Sequence, residues 1–441
     1  MQRIERVERV FWLEMGVLAC SAPLLYFPER FPGWARLLAL GLLAAGWGLR
    51  RIALGRWRVS TPATPALDLL ILLLPLALWA APEPLRQRYS WPRAQILLWN
   101  YCLFWAVVTH ASRSWTLFRL NAVGFFTAAT GIALLAPFGI EWLDKFAALR
   151  WVVERFPPLL VGVFRGAESG FHPNQVAGTL LYALPLMAAL SVAGLRRSGP
   201  RGRWLLLPAT ALVGGVLLLT QSRAALLGLA VGLLVMALLP WRWGRGALVG
   251  IGVGLALLLP LMPPMWLDLL NDAPTVAALG GTQSLGFRQR IWTMALWGLA
   301  DFPFTGMGLG TFREIGPLFY NLDIPPAYDI AHAHNLFLQT GLDFGLLGMV
   351  CLIAVYLAAG VQLVGSWASL PQARPWVIGM VGGLVGQLVF AQLDAVALGA
   401  KTNVMLWLYF ALVFALGNRA AQRRVREGFG GIIDRANRCA A

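Results

Sequence analysis

Histidine is scarce in this chain of 441 residues, and two of its four histidines fall together in His332-Ala333-His334-Asn335. An imidazole titrates near neutral pH, so a neutral His334 at a helix entrance is suited to take the proton of an attacking hydroxyl. The plainer alternative is that His-x-His-Asn only caps the helix that follows. Beyond it, Asn335, Gln339 and Asp343 recur at i, i+4 and i+8, a polar stripe that must face a bundle interior or a wet cavity.

Arginines supply the second chemistry. Arg223 lies in the short connector Thr220-Gln221-Ser222-Arg223, with Arg288 and Arg290 further along the chain. Planar five-donor forks that converge can hold an anionic, phosphate-bearing ligand, although an arginine at a helix end also snorkels without any function. The chain contains no Asp-x-Asp. A diphosphate would therefore be neutralised by arginine and not by a carboxylate-held metal. His172 with His332 and His334 could begin a metal site, but no cysteine and no carboxylate at ligand-like spacing completes it, so neither metal nor cofactor is expected. The run Gly306-Met307-Gly308-Leu309-Gly310 either presents backbone N–H groups to an anion or is simply a turn.

These groups need elements to position them, and the composition says in which solvent. With 58% hydrophobic and 13% charged residues and a mean hydropathy of +0.66, the chain is no ordinary soluble protein. Its pI near 10.9 does not point to nucleic acid, because the basic residues lie between apolar runs. Twelve candidate spans lie near 10–27, 33–49, 66–82, 94–111, 119–139, 174–194, 204–221, 223–240, 246–266, 334–364, 375–396 and 402–418. An all-α polytopic integral membrane protein follows, one transmembrane domain over 1–441.

Lys and Arg favour alternate connectors, counted from the N-terminus, by 22 to 14, which predicts both termini in the cytoplasm. His172, His332 and His334 then share the outer face with most of the misplaced arginines. Two outer connectors are long: 141–173, which begins as an amphipathic helix, and 267–333. Glycine pairs such as Gly250/Gly254, Gly341/Gly345 and Gly382/Gly386 allow helices to approach closely. The carboxylates inside spans, Glu14, Asp68, Asp343 and Asp394, are what a transporter would use, but they are scattered and unpaired in sequence. Four cysteines form no disulfide or zinc pattern.

Five elements in order resemble the O-antigen ligase and polymerase superfamily of bacterial envelope enzymes. They are Arg165 followed by Phe171-His172-Pro173-Asn174; Gln221-Ser222-Arg223; Arg288-Gln289-Arg290-Ile291-Trp292, similar to an Arg-x-x-x-Trp signature; Pro303 to Phe312; and His332-Ala333-His334-Asn335. The resemblance implies a GT-C-like, metal-independent, inverting glycosyltransferase of the bacterial inner membrane with a periplasmic site. A ligase would move a glycan from undecaprenyl diphosphate to lipid A-core, and a polymerase to another lipid-linked repeat. It implies Arg223 and Arg288 as diphosphate ligands, with Arg290 and Arg165 beside them, and His334 as the base. Asn174, His332, Asn335 and Gln339 would support them. A protein O-oligosaccharyltransferase, and from a different class a lipid-linked-glycan flippase, are the competing readings.

Overall fold

A computed structural model describes residues 2–140, 142, 146–157, 159–160, 172–196, 203–248, 250, 282–320 and 330–439. Every regular element among the described residues is helical. The N-terminal part comprises α1 (Gln2–Tyr26), α2 (Gly33–Leu54), α3 (Thr64–Leu72), α4 (Leu74–Ala80), α5 (Trp91–Ala111), α6 (Trp115–Gly139) and the short α7 (Ala147–Val153). It is followed by α8 (Pro173–Leu181), α9 (Leu184–Arg196), α10 (Arg203–Leu219), α11 (Arg223–Leu238), α12 (Thr282–Asp301), α13 (Phe312–Phe319), α14 (Leu336–Ser369), α15 (Arg374–Leu393) and α16 (Val404–Cys439).

Among the described residues, five helical stretches are long and apolar enough to cross a membrane: α2, α6, α14, Pro371–Leu393 around α15, and Lys401–Glu427 in α16. The pair α8 and α9, bent by 42°, makes a sixth if it is one broken span. The chain is therefore a multi-pass helical membrane protein, since buried backbone polar groups in lipid must be paired within the segment. The count is lower than the twelve candidates of the sequence, for identifiable reasons. The candidates at 66–82, 204–221 and 223–240 fold as shorter apolar helices. Glu14 in α1, and Gln95, Asn100 and His110 in α5, dilute two others, and 246–266 falls almost wholly outside the described residues.

Buried charge is paired. Glu14, at 3% exposure, bonds Arg50 of α2 and lies 3.0 Å from Nε2 of His110 in α5, so one carboxylate ties three helices. Asp68 of α3 is held by Arg58 and by the Tyr101 hydroxyl at 2.7 Å. Two of the four carboxylates that a transporter would use are thus structural clamps.

α11 and α15 run antiparallel with almost no side chain between them. A Cβ on Gly228 would strike the Gly386 carbonyl, and one on Gly232 the Gly382 carbonyl, so the glycines at 382 and 386 do serve close packing. Gly345 does something different. It breaks α14 with φ 76° and ψ 177°, a backbone conformation that glycine reaches without a Cβ clash. The Leu346 N–H freed by the break donates to the Pro303 carbonyl at 2.7 Å, and Met307 N donates to the Leu342 carbonyl at 2.7 Å. The loop that follows α12 therefore plugs the break. A valine at 345 would be strained and would meet the Phe304 carbonyl. Gly345→Val is expected to lower stability by about 1–3 kcal/mol or more, read as an earlier thermal unfolding in detergent, whereas Gly131→Ala, with open space around it, should leave the midpoint within a degree or two.

Candidate functional site

The histidine segment is built by the polar stripe below it. Asn335 caps α14, its Oδ1 accepting from Phe337 N at 2.9 Å and Leu338 N at 3.1 Å. Gln339 accepts from Ala333 N at 2.9 Å and donates to Asp343 Oδ1 at 3.0 Å, and that carboxylate also takes the Gly310 N–H at 2.9 Å. Asp343 is thus a third structural carboxylate. The glycine loop is a turn: Gly306, Gly308 and Gly310 all have positive φ, and the N–H groups of Gly306, Leu309 and Gly310 go to protein acceptors.

Held in this way, the loop keeps His334 at φ 47°, an uncommon left-handed conformation for a non-glycine residue. Trp292 of α12 donates its indole N–H to the His334 carbonyl at 3.4 Å. One turn earlier on the same helix stands Arg288.

Asp394 is where these groups meet. It immediately follows α15 and is 1% exposed. The sequence counts it inside the eleventh span, but the helix ends at Leu393 and the residue is extended. Oδ1 lies 3.3 Å from His334 Nδ1 and 3.5 Å from His332 Nε2. Oδ2 accepts from Asn174 Nδ2 at 2.8 Å and lies 3.7 Å from Arg288 Nη2. The His334 approach is at ion-pair distance and off line for a well-formed hydrogen bond.

The tautomer of His332 follows from geometry. Its Nδ1 accepts the His334 N–H at 3.2 Å, so its proton sits on Nε2, facing Asp394. Burial, together with the neighbouring charges of His334, His172 and Arg93, holds its pKa down to about 3 in spite of the carboxylate. For Asp394, burial pushes the pKa upward, but His334, His332 and Arg288 together outweigh it and hold the carboxyl well below the usual range. His334 presents its other nitrogen, Nε2, outward. That atom has no partner among the described residues, and the side chain is 19% exposed.

Of the residues named from sequence, Arg288, Asn174, His332 and His334 surround one carboxylate, with Asn335 and Gln339 positioning the histidine loop. Arg290 is exposed one residue-pair away from Arg288 on α12. Arg223 is exposed at the start of α11, and among the described residues no hydrogen bond or ion pair joins it to the others. It lies at the same end of the antiparallel α11/α15 pair as Asp394, because Arg223 precedes Gly228 and Asp394 follows Gly386. Its neighbour Gln221 accepts the Phe146 N–H at 2.6 Å, joining the 141–173 connector to this end. Arg165 lies outside the described residues, as do much of 141–173 and parts of 267–333.

Sequence reasoning missed Asp394 as a site residue, and Arg93 as well. Arg93 is 6% exposed, with Gly310 and Gly399 both packed against it. The signal for Asp394 was a carboxylate at the end of an apolar run on the same face as three histidines, where a charge needs a partner. It also supplies the carboxylate that the metal argument lacked: one ligand atom each from His332, His334 and Asp394 lie within 4.8 Å of one another.

Beside the polar cluster, an open apolar groove of about 980 Å³ runs between α12, α14 and α15. Trp292, Asn335 and Gln392 form its polar end, and residues such as Leu357, Val361 and Leu388 its walls. Asn335 donates to Gln392 Oε1 at 3.2 Å there.

Fold and site together define a multi-pass helical membrane protein with a buried carboxylate, two histidines and an arginine gathered at the ends of its helices. Residues 208–353, less than half of the chain, match the family model described as O-antigen ligase. The match includes Arg223, Arg288, Arg290, His332 and His334, but neither Asn174 nor Asp394. No curated protein matches the chain.

The pKa directions fix a pH dependence. His332 is neutral when folded and titrates near 6.5 when unfolded, so the unfolded chain binds the extra proton between pH about 6.5 and about 3. Its contribution is present above 6.5 and is lost as pH falls through that window. That of Asp394, whose folded pKa is depressed, is present above the unfolded 3.8 and lost at lower pH. Thermal unfolding of the detergent-solubilised protein should therefore occur earlier as pH drops from 7 to 4, and His332→Gln should flatten the dependence.

Proposed function

We propose that the chain is an O-antigen ligase that transfers a glycan from undecaprenyl diphosphate to lipid A-core at the periplasmic face of the bacterial inner membrane. The observation that carries the reading is the outward Nε2 of His334, backed on Nδ1 by Asp394, beside Arg288 and at the polar end of an apolar groove. In the finer topology we infer, twelve spans in a GT-C-like arrangement keep both termini in the cytoplasm, with 141–173 and 267–333 as outer connectors.

The chemistry balances without a cofactor. The acceptor hydroxyl gives its proton to His334 Nε2 as its oxygen bonds the anomeric carbon from the face opposite the leaving group. The bond from that carbon to the diphosphate oxygen breaks, and the configuration inverts. Asp394 stabilises the imidazolium formed on His334, as a buried carboxylate does when paired across the other ring nitrogen. Charge building on the leaving diphosphate is met by Arg288 and Arg223, with Arg290 and Arg165 beside them; each well-placed donor contributes about 10²–10³ in rate. The groove takes the polyprenyl chain, whose methyl-branched, apolar hydrocarbon surface matches its Leu and Val walls.

The test is transfer by purified protein given a lipid-linked glycan with and without lipid A-core. Glycan on core supports the ligase; chain growth without transfer to core would assign the polymerase, and translocation without transfer a flippase. His334→Ala should slow transfer by about 10²–10⁴ while the protein stays folded. Arg223→Ala and Arg288→Ala should weaken donor use for every glycan alike, because phosphate contacts carry no sugar specificity. The His332/His334/Asp394 cluster favours a second reading, a metal site, although the Arg288 cation at 3.7 Å opposes a divalent ion. Transfer that persists in chelator supports the base; loss in chelator with rescue by zinc would assign the cluster to metal.

A further inference from the structure

At the other end of the helices lies a second polar cavity that the transfer chemistry does not use. It has a volume of about 460 Å³ and lies among the N-terminal part of α1, the end of α2, the start of α6 and the distal part of α16. Among the described residues, Arg56, Arg113 and Arg426 line it, with Glu8 as the one acidic member. It is remote from Asp394: α16 begins at Val404, close after Asp394, and Arg426 lies 22 residues further along it, about 33 Å at 1.5 Å per residue.

Three features favour a phosphate with an apolar tail. Three guanidinium groups against one carboxylate leave a net positive cavity, and planar forks match phosphate oxygens. The 25-residue α6 starts at this cavity: Ser114 caps it, accepting from Leu117 N at 3.4 Å, and the positive end of its dipole faces the same space. The remaining wall is apolar, from Val7, Ala53, Leu54 and Leu117, while Trp57 beside Arg56 is 51% exposed, as indoles at the membrane interface are.

We propose that this cavity binds the phosphate headgroup of an anionic membrane lipid, clamping α1, α2, α6 and α16 on the face opposite the transfer site. The chemistry recognised is a phosphate oxyanion, and the source assigned to it is a diacyl lipid, not free phosphate. The proposal stands independently of the transfer reaction and of its acceptor.

Native mass spectrometry of the full-length protein released from nanodiscs of phosphatidylglycerol and phosphatidylcholine reads it directly. Retention of phosphatidylglycerol over phosphatidylcholine by about tenfold or more is expected, with an Arg56→Gln/Arg113→Gln/Arg426→Gln variant reduced to no preference. Arg426→Gln alone, an exposed change, should reduce the preference severalfold and keeps the test open if the triple variant does not fold. Equal retention of the two lipids by the wild type, or an unchanged preference in the folded variants, overturns the proposal. Inorganic phosphate separates the sources: bound phosphatidylglycerol that survives millimolar phosphate supports the lipid, whereas displacement by it, with no cost to retention of lipid elsewhere, assigns the cavity to soluble phosphate and overturns the lipid assignment.

Discussion

A carboxylate that is 1% exposed at the end of a helix is costly twice over, once for its lost hydration and once because it sits at the negative end of the helix dipole. Asp394 persists there because four groups from three other parts of the chain converge on it: Asn174 from α8, Arg288 from α12, and His332 and His334 from the segment before α14. Removing any one leaves buried charge less well matched, so the carboxylate fixes the relative positions of elements that are far apart in sequence. The same demand gives His334 its chemistry, since the nitrogen drawn toward Asp394 leaves the other one facing outward.

The surrounding structure carries that constraint into the bilayer. The break at Gly345 separates the short first part of α14, which bears the Asn335-Gln339-Asp343 stripe, from the long apolar part that crosses the membrane. The loop plugging the break is held at Pro303 by the Leu346 N–H and at Gly310 by Asp343, so the stripe, the glycine turn and the histidine segment form one hydrogen-bonded unit. On the other side, the glycine-lined contact of α11 with α15 brings Arg223 to the same end as Asp394. Trp292 links the two regions, donating to the His334 backbone while lining the apolar groove.

Much of this was legible in the sequence where the signal was local. The stripe at i, i+4 and i+8, the Arg288/Trp292 spacing and the His-x-His-Asn run all describe neighbours on one helix or one turn, and they fall in the segment that matches the O-antigen ligase family. Asp394 was not legible as a site residue, because its partners come from distant stretches and its position read as the inside of a span. Of the twelve apolar runs, those at 66–82, 204–221 and 223–240 fold as shorter helices and 174–194 as the bent pair α8 and α9, so hydropathy located the apolar helices better than it located their lengths. The glycine run looked like an anion cradle only until its N–H groups found acceptors within the fold.

The central claim is that Asp394 and His334 act as one unit, and a double-mutant cycle on the rate of glycan transfer tests it most directly. Asp394→Asn, His334→Ala and the double variant would be compared as folded, purified proteins at saturating donor. If the carboxylate works through the imidazole, the double variant is no slower than His334→Ala alone, because the second change removes support for a group that is already gone. Losses that instead multiply, each change costing the same whether or not the other is present, would contradict the account.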